Sequence, residues 1–405
     1  MSDYKLNPMI WMIIFGVFLL RVGTSMSIPF IAIFLHFKIG INLTTTGLIV
    51  GAAYLPYIVG GFFGGVLSDK YGRRNLLCAS LFFYALTFFA FGLSTYFSHL
   101  AWIVGAVFCG LNLLAGLCRI WIETLTQAML ADLATANQKI TAFNLRYTAA
   151  NVGSAIGPIL GAYIGFSGTF LGFYFTGAMS FIYFILFMIA SKQSHDQIQH
   201  ESKETITFKE SAAALWLDKS LLYFILGGVF AYLVYVQQES TLGQIMVERF
   251  GNTHLFAAIL ATNAITIVCL QIPLTTYCLN RISLASLMKA GCIFLAVGMG
   301  SVAFSGTHAV FYIISQVIFT LGEIFIFSIG GLFIDMIAPV KLRGAYFGSM
   351  GFQYLGKSIG PLMGGAILQM CGGVVMLCSF AVIAIAMMFF YSKIGSHRIQ
   401  EGLRS

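Results

Sequence analysis

About a dozen stretches of roughly 20 residues in this chain run with almost no charge, and that pattern dictates the solvent in which it folds. A hydrocarbon layer about 30 Å thick is crossed by about 20 residues of α-helix rising 1.5 Å each. Only 9% of the residues are charged and 59% are hydrophobic, whereas a water-soluble domain carries about 25% charged residues. Lipid offers the backbone no hydrogen bonds, so each span has to satisfy its own as a helix. Read against loop signals, the runs predict spans at about 9–36, 45–67, 76–95, 100–131, 141–165, 169–191, 220–247, 255–278, 287–305, 309–337, 345–369 and 373–392. The first begins near Pro8 and reaches about Leu35. It is too long for a signal-peptide core and no small-residue cleavage site follows it, so it counts as a span.

The basic residues orient these spans. Of 22 Lys and Arg, Arg21, Arg119, Arg146 and Lys357 fall deep inside spans, and only Lys38 and Arg249 fall in loops on the face opposite the N-terminus. The remaining sixteen lie on the N-terminal side, a positive-inside bias that one missed span would have scrambled. The expected architecture is an all-α membrane protein with twelve transmembrane helices and both termini cytoplasmic, placed in the cell inner membrane. The net charge of +8 comes from short loop clusters rather than one stripe, which argues against nucleic acid as a partner. The eight cysteines, such as Cys78, Cys109, Cys118 and Cys269, sit in or beside apolar runs without metal-ligand or disulfide spacing and read as packing residues.

The longest polar stretch separates spans six and seven. It divides the chain into residues 1–191, a linker at 192–219 and residues 220–405, each half holding six spans. The segment FKESAAALWLDK at the end of the linker reads either as an amphipathic helix on the membrane surface with Trp216 at the interface, or as a plain entry to span seven. The halves are related: NVGSAIGPILGA at 151–162 and YLGKSIGPLMGG at 354–365 match at a constant offset of 203. Gly153, Gly157, Pro158 and Gly161 fall onto Gly356, Gly360, Pro361 and Gly364, and the same offset carries Asp132 onto Asp335. Two pseudo-symmetric six-helix bundles are therefore expected, a construction used by alternating-access transporters.

Between spans two and three the chain reads Gly65, Val66, Leu67, Ser68, Asp69, Lys70, Tyr71, Gly72, Arg73, Arg74. Gly65 permits close helix approach, Gly72 permits a tight turn, and the charges sit at the membrane surface. This decapeptide resembles the signature of the loop between helices two and three of the major facilitator superfamily. The resemblance implies that Asp69 stabilises one conformation through contacts with the other half, with Gly65, Gly72, Arg73 and Arg74 completing the conformational motif. Gly153, Gly157, Pro158 and Gly161 in span five resemble the antiporter motif of the drug:proton antiporter branch. Glycines every four residues make a smooth helix face, and Pro158 removes a backbone donor, so that face serves either antiport or ordinary helix packing. The loop near Asn280 and Arg281 lacks the acid and glycine of the first-half signature.

A charge at mid-membrane costs about 2.5–3.5 kcal/mol on insertion scales, which makes ionisable residues there functional candidates. Arg21, Arg119, Glu123, Arg146, Glu239, Glu323 and Lys357 all lie deep. Five of them are on spans one, four, seven and ten, which line the central cavity in the family. Arg119 and Glu123, four apart on one helical face, can pair with each other. Arg21 shares a face with Thr24 and either faces substrate or bridges to an acid on another helix. Tyr232, Tyr235 and Glu239 follow helical spacing, and with Gln238 they form a candidate binding surface. Glu323 has no cation within a helical turn, a setting in which a carboxyl group exchanges protons. Together with Glu123 it is the candidate for proton coupling, unless Arg146 or Lys357 holds it in a fixed pair.

These residues point to a proton-coupled secondary transporter that moves a small molecule across the inner membrane, with resemblance favouring efflux of drugs or metabolites. A surplus of deep cations supports an alternative, an anionic cargo such as a polycarboxylate or a carboxylate siderophore. A receptor or membrane enzyme on the same scaffold is the reading from another class. All seven histidines lie in loops, tails or span ends, and no nucleotide-binding loop occurs. No cofactor or metal is expected, the partners are small-molecule substrate, protons and lipid, and the protein is expected to act as a monomer. Alkaline phosphatase fused after residue 193 or after Ser405 should be inactive, and fused after Gly251 active; the reverse pattern would refute the orientation.

Overall fold

The computed structural model describes residues 6–97, 99–135, 138–164, 171–193, 213, 216, 218–279, 281–339 and 342–394. Ten stretches are long and apolar enough to cross a membrane, from Pro8–Lys38 to Ala345–Ser392. The last is 48 residues, about 70 Å if straight and more than twice what a bilayer needs. It breaks at Gly372, whose φ of 80° only glycine adopts freely, and so provides two spans. Lys139–Ile164, 26 residues long, is less apolar and completes the set of twelve.

Span 1 is Pro8–Ile33, continued by a π-helical turn at Phe34–Lys38. Span 2 is Leu43–Ala52 followed by Leu55–Tyr71, the two parts offset at Ala53 and Tyr54 because Pro56 cannot donate a backbone hydrogen bond. Spans 3 to 6 are Arg73–Ser94, Ala101–Leu133, Lys139–Ile164 and Leu171–Gln193. Span 7 is interrupted, running as Lys219–Tyr235, Gln237–Ser240 and Leu242–Phe250. Spans 8 and 9 are His254–Leu279 and Leu284–Ala303. Span 10 runs Ala309–Glu323, passes through a π-helical turn at Ile324–Ser328 and ends as Ile329–Ile337. Span 11 begins at Arg343–Ser349 and continues in the helix from Tyr354; span 12 follows Gly372 and ends in Met388–Ser392. Most of the expected linker at 192–219, including most of the amphipathic segment, lies outside the described residues; Trp216, which is described, is 82% exposed.

Two large apolar cores form, with a small cluster of Tyr54, Tyr57 and Val236 between the halves. One is built wholly from residues between Met9 and Phe187. The other runs from Leu221 to Ile394, with Phe30, Ile33 and Ala162 reaching in from the first half. The outer surface is also apolar, with Trp102, Phe304, Val382 and Met370 largely exposed, as lipid contact requires.

Glycine faces set how closely the helices approach. A Cβ on Gly157 would lie 2.6 Å from the carbonyl oxygen of Val22, and one on Gly161 2.3 Å from that of Met26, so span 5 packs on span 1. In the second half a Cβ on Gly356 would lie 1.9 Å from the Val229 oxygen, packing span 11 on span 7. The sequence repeat is thus a repeated helix contact. Between the halves, a Cβ on Gly47 would lie 2.0 Å from the Pro361 oxygen and one on Gly51 2.1 Å from the Ser358 oxygen, joining span 2 to span 11. Thr44 adds hydrogen bonds to Gln369 from its amide at 3.1 Å and its hydroxyl at 2.9 Å. Gly157→Val should destabilise the protein in detergent by about 1–3 kcal/mol through overpacking. Gly110→Ala, where the added methyl meets nothing within 4 Å, should leave the thermal midpoint unchanged or higher.

Candidate functional site

Spans 1, 4, 5, 7, 8 and 10 converge on a cavity of about 300 Å³. Helical spacing aims the side chains inward: Arg21 and Ser25 from span 1, Arg119 and Glu123 from span 4, Arg146, Tyr147 and Asn151 from span 5. The second half supplies Tyr235, Gln238 and Glu239 from span 7, Asn263 from span 8 and Glu323 from span 10. Thr24 is buried, donates to the Arg21 carbonyl at 3.2 Å, and lines a smaller void beside Arg119 and Glu123. Tyr232 stands behind the cavity wall, its ring stacked on Tyr354 at 5.1 Å and tilted against Phe327 at 4.6 Å.

Arg21 Nη2 lies 3.4 Å from Glu123 Oε1, tying span 1 to span 4. The alternative pair within span 4 is not formed; among the described residues Arg119 has no carboxylate within 4.0 Å. With the arginine N-terminal to the glutamate, an i, i+4 pair has its weaker orientation, and a neighbouring helix offers Glu123 a better partner. Arg146 also lacks an ion pair among the described residues, and its buried Nε makes no hydrogen bond there.

In the second half, Lys357 Nζ is 3.8 Å from Glu239 Oε2. The same oxygen accepts a 2.6 Å hydrogen bond from the Tyr54 hydroxyl, which belongs to the first half. Lys357 Nζ also sits 4.9 Å from the ring centres of both Tyr54 and Tyr235 and 5.6 Å from that of Tyr232, close enough for cation–π attraction. Glu323 has no cation within 4.0 Å among the described residues. Its Oε2 accepts from Asn263 Nδ2 at 2.5 Å, and the same nitrogen reaches Thr320 Oγ1 at 3.0 Å. Thr320 accepts from Gln316 at 3.1 Å, and Gln316 exchanges amide hydrogen bonds with Gln238 at 3.0 and 3.2 Å. A polar chain therefore connects Glu323 to the interrupted part of span 7.

At the membrane surface Gly72, with φ 83°, turns span 2 into span 3. Arg73 pairs with Asp132 at the end of span 4, and Arg74 Nε donates to Ser191 Oγ at 2.8 Å. Both contacts stay within the first half. Gly65 and the expected contact of Asp69 with the other half lie outside the described side chains. Gly153, Gly157 and Gly161 press against span 1 as described, and Pro158 lines the cavity. Tyr54 and Asn263 did not stand out in the sequence. A lone asparagine in the apolar run ILATNAITIVCL is the signal that marks Asn263.

The Major Facilitator Superfamily model matches residues 13–361. The chain is 33% identical to the MFS-type transporter YqjV of Bacillus subtilis, covering 92% of this chain and 89% of YqjV. It is 26% identical over 186 residues to the quinolone resistance protein NorA of Staphylococcus aureus, covering 45% of each. Among solved structures, the nucleoside transporter NupG superposes with a TM-score of 0.79 at 12% identity, covering 96% of this chain and 99% of NupG. The peptide transporter POT in complex with sulfate gives 0.80 at 12% identity, covering 99% and 96%. These two likenesses establish the fold.

A double-mutant cycle on Arg21→Gln and Glu123→Gln, read by thermal unfolding, should give a coupling of about 0.5–3 kcal/mol. The cycle on Arg119→Gln and Glu123→Gln should give a smaller one; the opposite order would contradict the cross-helix pair.

Proposed function

The chain belongs to the major facilitator superfamily, and we propose that it is a proton-coupled secondary transporter that exports small organic molecules by alternating access. The observation that carries this reading is the position of Glu323: a carboxylate on the wall of a cavity between two pseudo-symmetric bundles, held by an asparagine rather than a cation. A carboxylate in that setting takes up and releases a proton as the cavity changes its exposure, and neutralising it alters the hydrogen bond to Asn263. Through Thr320, Gln316 and Gln238 that change reaches the break in span 7, where short helical segments make rearrangement inexpensive. The π-helical turn directly after Glu323 loosens span 10 at the same level.

The glycine-lined seam between spans 2 and 11 lets the halves rock against each other with little side-chain obstruction. Similarity to NorA, named for quinolone resistance, and 21% identity over 375 residues to a Na(+), Li(+), K(+)/H(+) antiporter of Planococcus maritimus support efflux and antiport. The face holding the N-terminus is then cytoplasmic, in keeping with the positive-inside bias, and one chain forms the whole pathway. A second reading, an anionic cargo, is favoured by Arg119 and Arg146, the two guanidinium groups lining the cavity that have no ion partner among the described residues.

The test is flux in proteoliposomes under an imposed proton gradient. Lipophilic cations, polycarboxylates and amphoteric aromatics are compared for the native protein and for Glu323→Gln, which mimics the protonated carboxyl. Gradient-driven flux should fall by at least about tenfold in Glu323→Gln while substrate exchange without a gradient persists. Full gradient-driven flux in that variant would place the proton elsewhere, and no gradient dependence in the native protein would remove proton coupling.

A further inference from the structure

The cavity's charges are sorted by bundle. The first bundle lines it with Arg21, Arg119, Arg146 and Glu123, and the second with Glu239 and Glu323. Internal pairing uses up part of this set: Glu123 goes to Arg21 at 3.4 Å and Glu239 to Lys357 at 3.8 Å. What remains is two guanidinium groups on one wall, one with a buried Nε that makes no hydrogen bond among the described residues, and one carboxylate on the other wall.

We propose that the cavity selects zwitterionic organic molecules, with an anionic group against Arg119 and Arg146 and a cationic group against Glu323. This rests on the reading of the cavity as the transport site and adds the class of molecule it takes. A purely cationic ligand would share a small, poorly hydrated space with two uncompensated guanidinium groups. A purely anionic one would face Glu323 and leave it without a counter-charge. Each arrangement strands a charge where charge is costly. A zwitterion answers both walls at once. Guanidinium groups bind carboxylates with paired, directional hydrogen bonds. Because the two ends of such a ligand touch different bundles, its binding energy depends on how the bundles are placed, which is what couples occupancy to rocking. The volume, about 300 Å³, suits one small molecule.

The test uses matched probes on phenyl, naphthyl and biphenyl skeletons. Each skeleton is made as an aminomethyl carboxylate, as its methyl ester (cation only) and as its N-acetyl derivative (anion only), and binding to the purified full chain is measured calorimetrically. The aminomethyl carboxylate should bind at least about tenfold more tightly than either derivative on at least one skeleton. Arg146→Gln should erase its advantage over the ester, Arg146→Lys should restore part of that advantage, and Glu323→Gln should erase its advantage over the N-acetyl compound. Tighter binding of a singly charged member, or no binding of the zwitterion on any skeleton, overturns the proposal. Counterflow of the same probes in proteoliposomes separates the two readings. A zwitterion that binds but does not cross removes transport while leaving the selectivity, and crossing by singly charged probes alone does the reverse.

Discussion

Everything in this structure follows from the cost of holding seven ionisable side chains at the middle of a hydrocarbon layer. None can face lipid without a penalty of about 2.5 kcal/mol or more. The fold turns them all toward one seam, where partner charges and a polar cavity receive them. That requirement explains why the deep charges come from spans that meet at the centre and why the lipid-facing surface is apolar. The same cost explains the pairing. Glu123 and Glu239 are each matched by a cation from a neighbouring span, and Glu239 takes a further hydrogen bond from Tyr54 across the seam.

The second constraint is close helix contact without large side chains. Lipid supplies no hydrophobic drive for one helix to leave it for another, so packing has to come from surface fit. Glycine every four residues gives span 5 its seat on span 1 and span 11 its seat on span 7, and the same device joins span 2 to span 11 between the halves. A bundle interior fixed by such seats is held by backbone contact along whole helices. Regular α-helix is broken within span 7 and by the π-helical turn after Glu323.

Much of this was legible in the sequence because lipid enforces a coarse code. Span count followed from apolar length. The two-bundle plan followed from the repeat at Gly153 and Gly356. Which charges pair was not legible, since pairing depends on the rotation of each helix about its axis; the sequence permits Arg119 with Glu123, and the packed helices choose Arg21. Tyr54 and Lys357 came together for the same reason, brought from spans far apart in the chain. The counts of deep cations and acids carry no information on where each charge stands; the packed helices put Arg21, Arg119, Arg146 and Glu123 on one wall of the cavity and Glu239 and Glu323 on the other.

The central claim is that the two bundles rock about this cavity and that protonation biases the motion. It is tested most directly by electron–electron distance measurements on a variant with the eight cysteines replaced. One spin-label pair at Phe37 and Glu248 reports the face opposite the N-terminus, and one at Tyr71 and Ile282 reports the N-terminal face. The account predicts that lowering pH in liposomes shifts both distance distributions in opposite directions, one pair closing as the other opens. Distances that stay fixed at every pH, or that lengthen together, would contradict alternating access biased by protonation.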